Sequence, residues 1–178
     1  MKFLKAGLVA GSMIAIAAVL HACGGGAAAA GTCPKIGVLP DAADNPVTGP
    51  DGEVVALARL SVQHGTCIYD KSNASRTGYS KVRFPMTVRV SAARFQGARV
   101  QDIDVEYVVA TVAPDGVITG RQTYSTTIGL SSATNFEDEK ILIEIPYQGN
   151  GEASQHRVVA AFLIDRETVA LNRSRLGR

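Results

Sequence analysis

Catalysis and metal binding need particular side chains at particular spacings, and this chain offers few. From Cys23 onward the histidines are His64 and His156, and the cysteines are Cys23, Cys33 and Cys67. A serine hydrolase sets its nucleophile on a strained turn, often Gly-x-Ser-x-Gly, and no such pentapeptide occurs. Ser131, Ser132 and Ser154 read as turn serines. His64 and His156 could each serve as a base, but a lone histidine beside a strand is more often a surface or turn residue. Zinc takes three or four His, Cys or acidic ligands at short spacing, and neither His-Glu-x-x-His nor Cys-x-x-Cys is present. Asp41, Asp44, Asp51 and Glu53 carry the oxygen ligands that calcium prefers, but not at EF-hand spacing. The phosphate loop Gly-x-x-x-x-Gly-Lys-Ser/Thr is also missing. The reading is a non-catalytic chain with no metal ligands and no cofactor.

The cysteine with the clearest context is Cys23. Lys2 and Lys5 make a positive start, and Ala6 to Leu20 is apolar or small, the length of a signal-peptide core and short of the ~20 residues that span a bilayer. Leu20-His21-Ala22-Cys23 follows, then Gly24-Gly25-Gly26 instead of a charged stop. Leu20, Ala22 and Cys23 resemble a bacterial lipobox, with His21 where a small residue is usual. The resemblance implies that residues 1–22 are a lipoprotein signal peptide and that Cys23 becomes a lipidated N-terminus. Two or more acyl chains, at about 0.8 kcal/mol per buried CH2, anchor durably. Gly24 in place of an aspartate implies the outer membrane, periplasmic face. Residues 23–32 then read as the lipidated cysteine and a flexible Gly/Ala spacer.

In an oxidising periplasm the remaining pair, Cys33 and Cys67, reads as a disulfide. It closes a loop of about 35 residues, worth roughly 3–4 kcal/mol in the chain-entropy model, and is expected to tie the first strand to the second. From Cys23 onward there are 16 basic and 16 acidic residues, so no net charge favours nucleic acid. Glu137-Asp138-Glu139 and the arginines Arg166, Arg173, Arg175 and Arg178 read as solvated faces or tails.

These groups must be positioned by strands. Lys35 to Leu39 is a short first strand stopped by Pro40. Asp41 to Gly52, with Asn45-Pro46, Gly49-Pro50 and Asp51-Gly52, reads as a twelve-residue loop. Glu53 to Tyr69 reads as a long strand with a break or bulge near Gly65, although Val54 to Arg59 could be helical by composition. Asp70 to Gly78 is a polar loop. Lys81 to Ala92 alternates, with Val82, Phe84, Met86, Val88 and Val90 on one face; Pro85 calls for an edge position or a bulge. Asp102 to Val112 sends Ile103, Val105, Tyr107 and Val109 inward, turns at Ala113-Pro114-Asp115-Gly116, and returns as Val117 to Thr127. Lys140 to Pro146 carries Ile141, Ile143 and Ile145 inward, and Arg157 to Ile164 is the last strand. Asp165 caps a short helix over Arg166 to Asn172.

About seven strands without strand–helix alternation predict an all-β fold, an antiparallel β-sandwich of immunoglobulin-like architecture over residues 33–178, with a short C-terminal helix. A small β-barrel is the alternative. Cys33-Pro34, Leu39-Pro40-Asp41-Ala42, Gly65-Thr66-Cys67 with Tyr69, and Asn172-Arg173 together resemble a group of small proteobacterial lipoproteins with a lipobox, a Cys-Pro opening and a β-rich domain. That resemblance implies class and location and assigns no activity. The expected role is structural, or that of an adaptor between the membrane, held through lipid, and an envelope protein. The expected contact surfaces are the Pro85 strand and the two loops, through Asp41, Asp44, Asp51, Lys71 and Arg76. A periplasmic module for a small molecule, metal ion or peptide, and a hydrolase, are the other readings.

Overall fold

A computed structural model describes residues 32–70, 80–131, 135–148 and 152–177. Cys23, Lys71 and Arg76 lie outside the described residues, as does most of the loop expected over Asp70 to Gly78. Nine strands and two helices follow in order: β1 Lys35–Val38, β2 Asp44–Thr48, β3 Val54–His64, β4 Ile68–Asp70, β5 Ser80–Arg94, β6 Asp102–Val112, β7 Ile118–Gly129, β8 Asn135–Tyr147, α1 Glu152–Gln155, β9 Arg157–Phe162 and α2 Arg166–Arg175. A 3-10 turn, Pro40–Ala42, joins β1 to β2. They build two sheets packed face to face, as an all-β sandwich should. One sheet runs β1-β9-β6-β7. The other centres on β5, with β8 along one side and β3 followed by β4 along the other; β2 lies outside β3.

The core is made by period-two alternation. Val82, Phe84, Met86, Val88 and Val90 of β5 are all buried, as are Ile103, Val105, Tyr107 and Val109 of β6. Burying each such apolar side chain contributes about 1.5–3 kcal/mol. The β6–β7 hairpin turns where Pro114-Asp115-Gly116 sets it. The Gly116 N–H donates to Ala113 O at 2.9 Å, and Gly116 takes φ 88°, a left-handed conformation that costs glycine little.

Several expectations need correction. Asp41 to Gly52 is not a loop: it holds the 3-10 turn and β2, and only Gly49 to Gly52 turns. Asn45-Pro46 reads as a turn, yet Pro46 sits in an outer strand, where its missing N–H leaves no ladder bond unmade. β8 begins at Asn135, five residues before the expected start, so Glu137-Asp138-Glu139 is strand. The first strand is parallel to its neighbour: Lys35 aligns with Arg157 and Val38 with Ala160. Among the described residues the count is nine strands rather than about seven.

Pro85 is placed differently from either expectation. β5 is central, paired on both sides. The interruption lies in the neighbouring strand. His64 aligns with Met86 and Ile68 with Arg83, so Gly65, Thr66 and Cys67, three residues, face two, Phe84 and Pro85. This is the bulge expected near Gly65. The Gly65 N–H donates to Pro85 O at 2.9 Å. A strand residue points its nitrogen and carbonyl to the same side, so the missing N–H of Pro85 faces the bulge. A side chain at Gly65 would put its Cβ 3.0 Å from Pro85 Cγ, so the proline ring occupies the room that glycine leaves.

Cys33 and Cys67 form the expected disulfide, with Cα atoms 5.7 Å apart. It ties the first strand to the stretch read as the second, Glu53 to Tyr69, and these lie in different sheets. Cys33 precedes β1 of one sheet and Cys67 lies in the bulge of the other, so the bridge closes the sandwich from sheet to sheet. Beside it the Tyr69 hydroxyl donates to Thr32 O at 2.5 Å, and Tyr69 packs edge-on to Tyr147 at 5.5 Å between centroids.

Candidate functional site

A concavity lies at the other end of the sandwich, between β2 and α2. Its lower wall begins with helix capping. Asp165 Oδ1 accepts from the Thr168 N–H at 2.7 Å, and Asp165 Oδ2 from the Thr168 hydroxyl at 3.1 Å. These bonds hold the Asp165 carboxyl below the usual carboxylate range. Glu167 in the first turn and Arg173 and Arg175 in the last complement the helix dipole. The helix runs to Arg175, one turn beyond the expected Asn172, because Asn172 and Arg173 are fastened to the sheet.

Asn172 is buried, 4% exposed. Its Nδ2 donates to Asp41 O at 3.2 Å and to Asp44 O at 2.8 Å. Arg173 holds the Asp41 carboxylate with Nε at 3.1 Å and Nη2 at 2.9 Å. The Leu60 N–H donates to Ala43 O, so Ala43 faces β3 and, by alternation, Asp44 and Pro46 face outward. The helix therefore satisfies a carbonyl on the outer edge of β2, next to a proline that has no N–H to offer there.

The cleft between them measures about 480 Å³. Pro46, Val47, Val54, Leu163 and Leu171 give it apolar walls, and Val54, Leu163 and Leu171 are large apolar side chains left exposed. Asp104, Asp165 and Glu167 give it acid, and no Lys, Arg or His lines it among the described residues. Asp104 Oδ1 accepts from the Thr127 hydroxyl at 2.5 Å, which positions the carboxylate without neutralising its charge.

The sequence-predicted residues fall elsewhere. Asp41 is consumed by Arg173. Asp44 holds Arg59 through two bonds of 2.7 and 3.1 Å, and its side-chain hydrogen bond and charge raise the Arg59 pKa. Asp51 Oδ1 accepts from the Glu53 N–H at 3.3 Å in the turn. The acids weighed as a calcium cluster are thus separated into individual structural bonds. Among the described residues no three His, Cys, Asp or Glu side chains are grouped to hold a metal ion. His64 is exposed, with Nδ1 3.3 Å from Gly65 O; His156 is buried between α1 and β9. Neither lines the cleft.

Sequence reasoning missed Asp104, Leu163 and Leu171, which look like ordinary strand and helix residues. The available signal was Asn172-Arg173 and Leu39-Pro40-Asp41-Ala42, noted as two separate motifs and joined here into one clamp. The other two motif pieces, Cys33-Pro34 and Gly65-Thr66-Cys67, meet at the disulfide.

A second polar feature bridges the sheets. Tyr107 on β6 is fully buried, and its hydroxyl donates to Glu139 Oε2 on β8. Desolvation first, and then the Glu139 bond and charge, push the Tyr107 phenol well above the usual tyrosine range. Tyr124 on β7 stacks on it at 5.2 Å.

Comparison with family models, curated proteins and solved structures returns no match for this chain. Among the described residues no helix is long and apolar enough to cross a membrane.

Proposed function

We propose that this protein is a lipid-anchored, non-catalytic adaptor of the cell envelope, tethered through Cys23 at the periplasmic face of the outer membrane. Its β2–α2 cleft receives an extended segment of an envelope protein, with a basic side chain flanked by apolar ones. The observation that carries this reading is the position of the cleft. The chain enters the sandwich at Cys33, clamped to Cys67 just beyond the end of β3. Val54 lines the cleft at the start of β3. Eleven strand residues separate the two ends, about 36 Å at ~3.3 Å per residue. A tether at one end presents the other end to the periplasm. Three carboxylates with no lining base favour a cation, and the exposed Val54, Leu163 and Leu171 favour apolar neighbours.

The test is site-specific photocross-linking in cells from position 171, in the cleft, and from position 118, far from it. One envelope protein captured from position 171 alone, and lost with Asp104→Asn/Glu167→Gln or with Cys23→Ala, supports the reading. The same captures from both positions, or capture that ignores the carboxylates, overturns it.

A further inference from the structure

An outer strand exposes a row of unpaired N–H and C=O groups, and stable sandwiches blunt such edges. In this sandwich the edges are unequal. β1 and β4 are four and three residues long, too short to template much pairing. β2 carries Pro46 on its outer edge and is covered by Asn172. β8 carries Pro146. The Pro85 carbonyl faces away from β8, so the odd residues of β8 face β5 and its even residues face outward. That sets Pro146 on the free edge with the charged Asp138, Lys140 and Glu144.

β7 has neither proline nor a row of charges along most of its length; β8 of the other sheet runs beside it and leaves a cleft between Ser125 and Glu137, Asp138 and Glu139. Ile118–Gly129 contains no proline and a single charged residue, Arg121. Its one irregularity is confined to the hairpin end, at the register shift opposite Thr111 and Val112. The Leu130 N–H donates to Gln101 O at 2.6 Å. With the register of the pair, this turns residues 120, 122, 124, 126 and 128 toward β6. Arg121, Thr123, Ser125, Thr127 and Gly129 then point their backbone groups to the free edge, and all five are exposed.

We infer that the β7 edge is a homotypic interface: two copies of this chain pair β7 against β7 about a two-fold axis at Ser125, joining two four-stranded sheets into one of eight strands. The sequence is self-complementary in that register. Ser125 meets Ser125, and Thr123 meets Thr127 of the second copy, a cross-strand pair that favours sheets. Arg121 meets Gly129, so the only charge on the strand faces no like charge. The outward-facing residues supply five mutually bonded pairs, about ten ladder hydrogen bonds. An isologous contact of this kind closes on itself and does not propagate.

The full-length protein, solubilised in mild detergent, tests the register by oxidative cross-linking. Opposed residues of a bonded pair lie about 5.5 Å apart between Cα atoms, within disulfide reach. Ser125→Cys is expected to give a disulfide dimer on a non-reducing gel. Thr123→Cys alone is expected to stay monomeric, because its copies are displaced by four residues, about 13 Å. An equal mixture of Thr123→Cys and Thr127→Cys proteins restores the dimer. Ser125→Pro, which removes an N–H with no bond to β6, keeps its circular dichroism spectrum and becomes monomeric by light scattering. Equal cross-linking at positions 123 and 125, none at either, or Ser125→Cys linking to a different protein overturns the inference.

Discussion

Replacing Asn172 with alanine isolates the bond that fastens α2 to the edge of β2. The side chain is buried and donates twice, to the carbonyls of Asp41 and Asp44. Each lost hydrogen bond costs about 0.5–1.5 kcal/mol net, and a buried acceptor left without a donor costs about 1–3 kcal/mol. Water can reach Asp44, which is half-buried, so the lower part of that range applies and the sum is about 2 kcal/mol. Arg173→Ala removes an ion pair whose arginine side chain is 55% exposed and whose aspartate side chain is 17% exposed; with the cation largely in water the pair is worth about 1 kcal/mol, the upper end for surface pairs. The order is therefore Asn172→Ala worse than Arg173→Ala, against the intuition that a charge pair outweighs an amide. Because α2 packs on one edge only, the loss should appear as local undocking. Hydrogen exchange across α2 should accelerate about 30-fold, the factor for about 2 kcal/mol, while the β5 and β6 amides keep their protection. Equal exchange in wild type and Asn172→Ala, or a larger effect of Arg173→Ala, would falsify the clamp.

Four further outcomes are expected. Cys33→Ser/Cys67→Ser lowers stability by about 3–4 kcal/mol for a loop of this length, read as a shift of the urea midpoint; an unshifted midpoint refutes it. Tyr107 is held neutral by the fold, so its contribution is full below the ordinary tyrosine pKa of 10 and is lost as pH rises above it. Wild type should lose stability above pH 10 more steeply than Tyr107→Phe, which itself costs about 1–2 kcal/mol at neutral pH; parallel alkaline unfolding curves would remove the argument. Gly65→Ala should destabilise when Pro85 is present and much less in Pro85→Ala, a non-additive pair in a double-mutant cycle; additivity would mean the 3.0 Å approach is relieved elsewhere. Asp165 is lowered by its bonds to Thr168, so the stability it gives α2 is present above the usual carboxylate pKa of 3.8 and fades as pH falls through the lowered value. The melting difference between wild type and Asp165→Ala should be clear at pH 7 and closed at low pH.

The core was legible because it is local. In β5 and β6 the buried side chains recur every second residue, and a strand turns alternate residues to opposite faces whatever it pairs with. The hairpin turn at Pro114-Asp115-Gly116, the Asp165 cap and the bulge near Gly65 also depend on a few neighbouring residues. Asn45-Pro46 misled for the same reason. Its local preference is a turn, and only the presence of β3 alongside makes it an outer strand. The cleft was not legible at all, since Val54 of β3, Asp104 of β6 and the pair Leu163 and Leu171 come from three stretches far apart in sequence.

By itself, then, the sequence determined most of the strands, though not β2 or the start of β8, which side of the long strands is apolar, the hairpin turn at Pro114-Asp115-Gly116, and which two cysteines pair. These follow from side-chain periodicity, from backbone limits on proline and glycine, and from counting. The tertiary structure alone decided that the disulfide spans the two sheets, that Pro85 sits in a central strand facing a bulge, that Asp41 and Asn172 meet, and that β7 is left with an open edge. The first three are contacts between residues twenty or more positions apart, and the last follows from how the strands are ordered. Strand pairing and sheet stacking are settled by the free energy of burying all the apolar faces together, and no single segment carries that information.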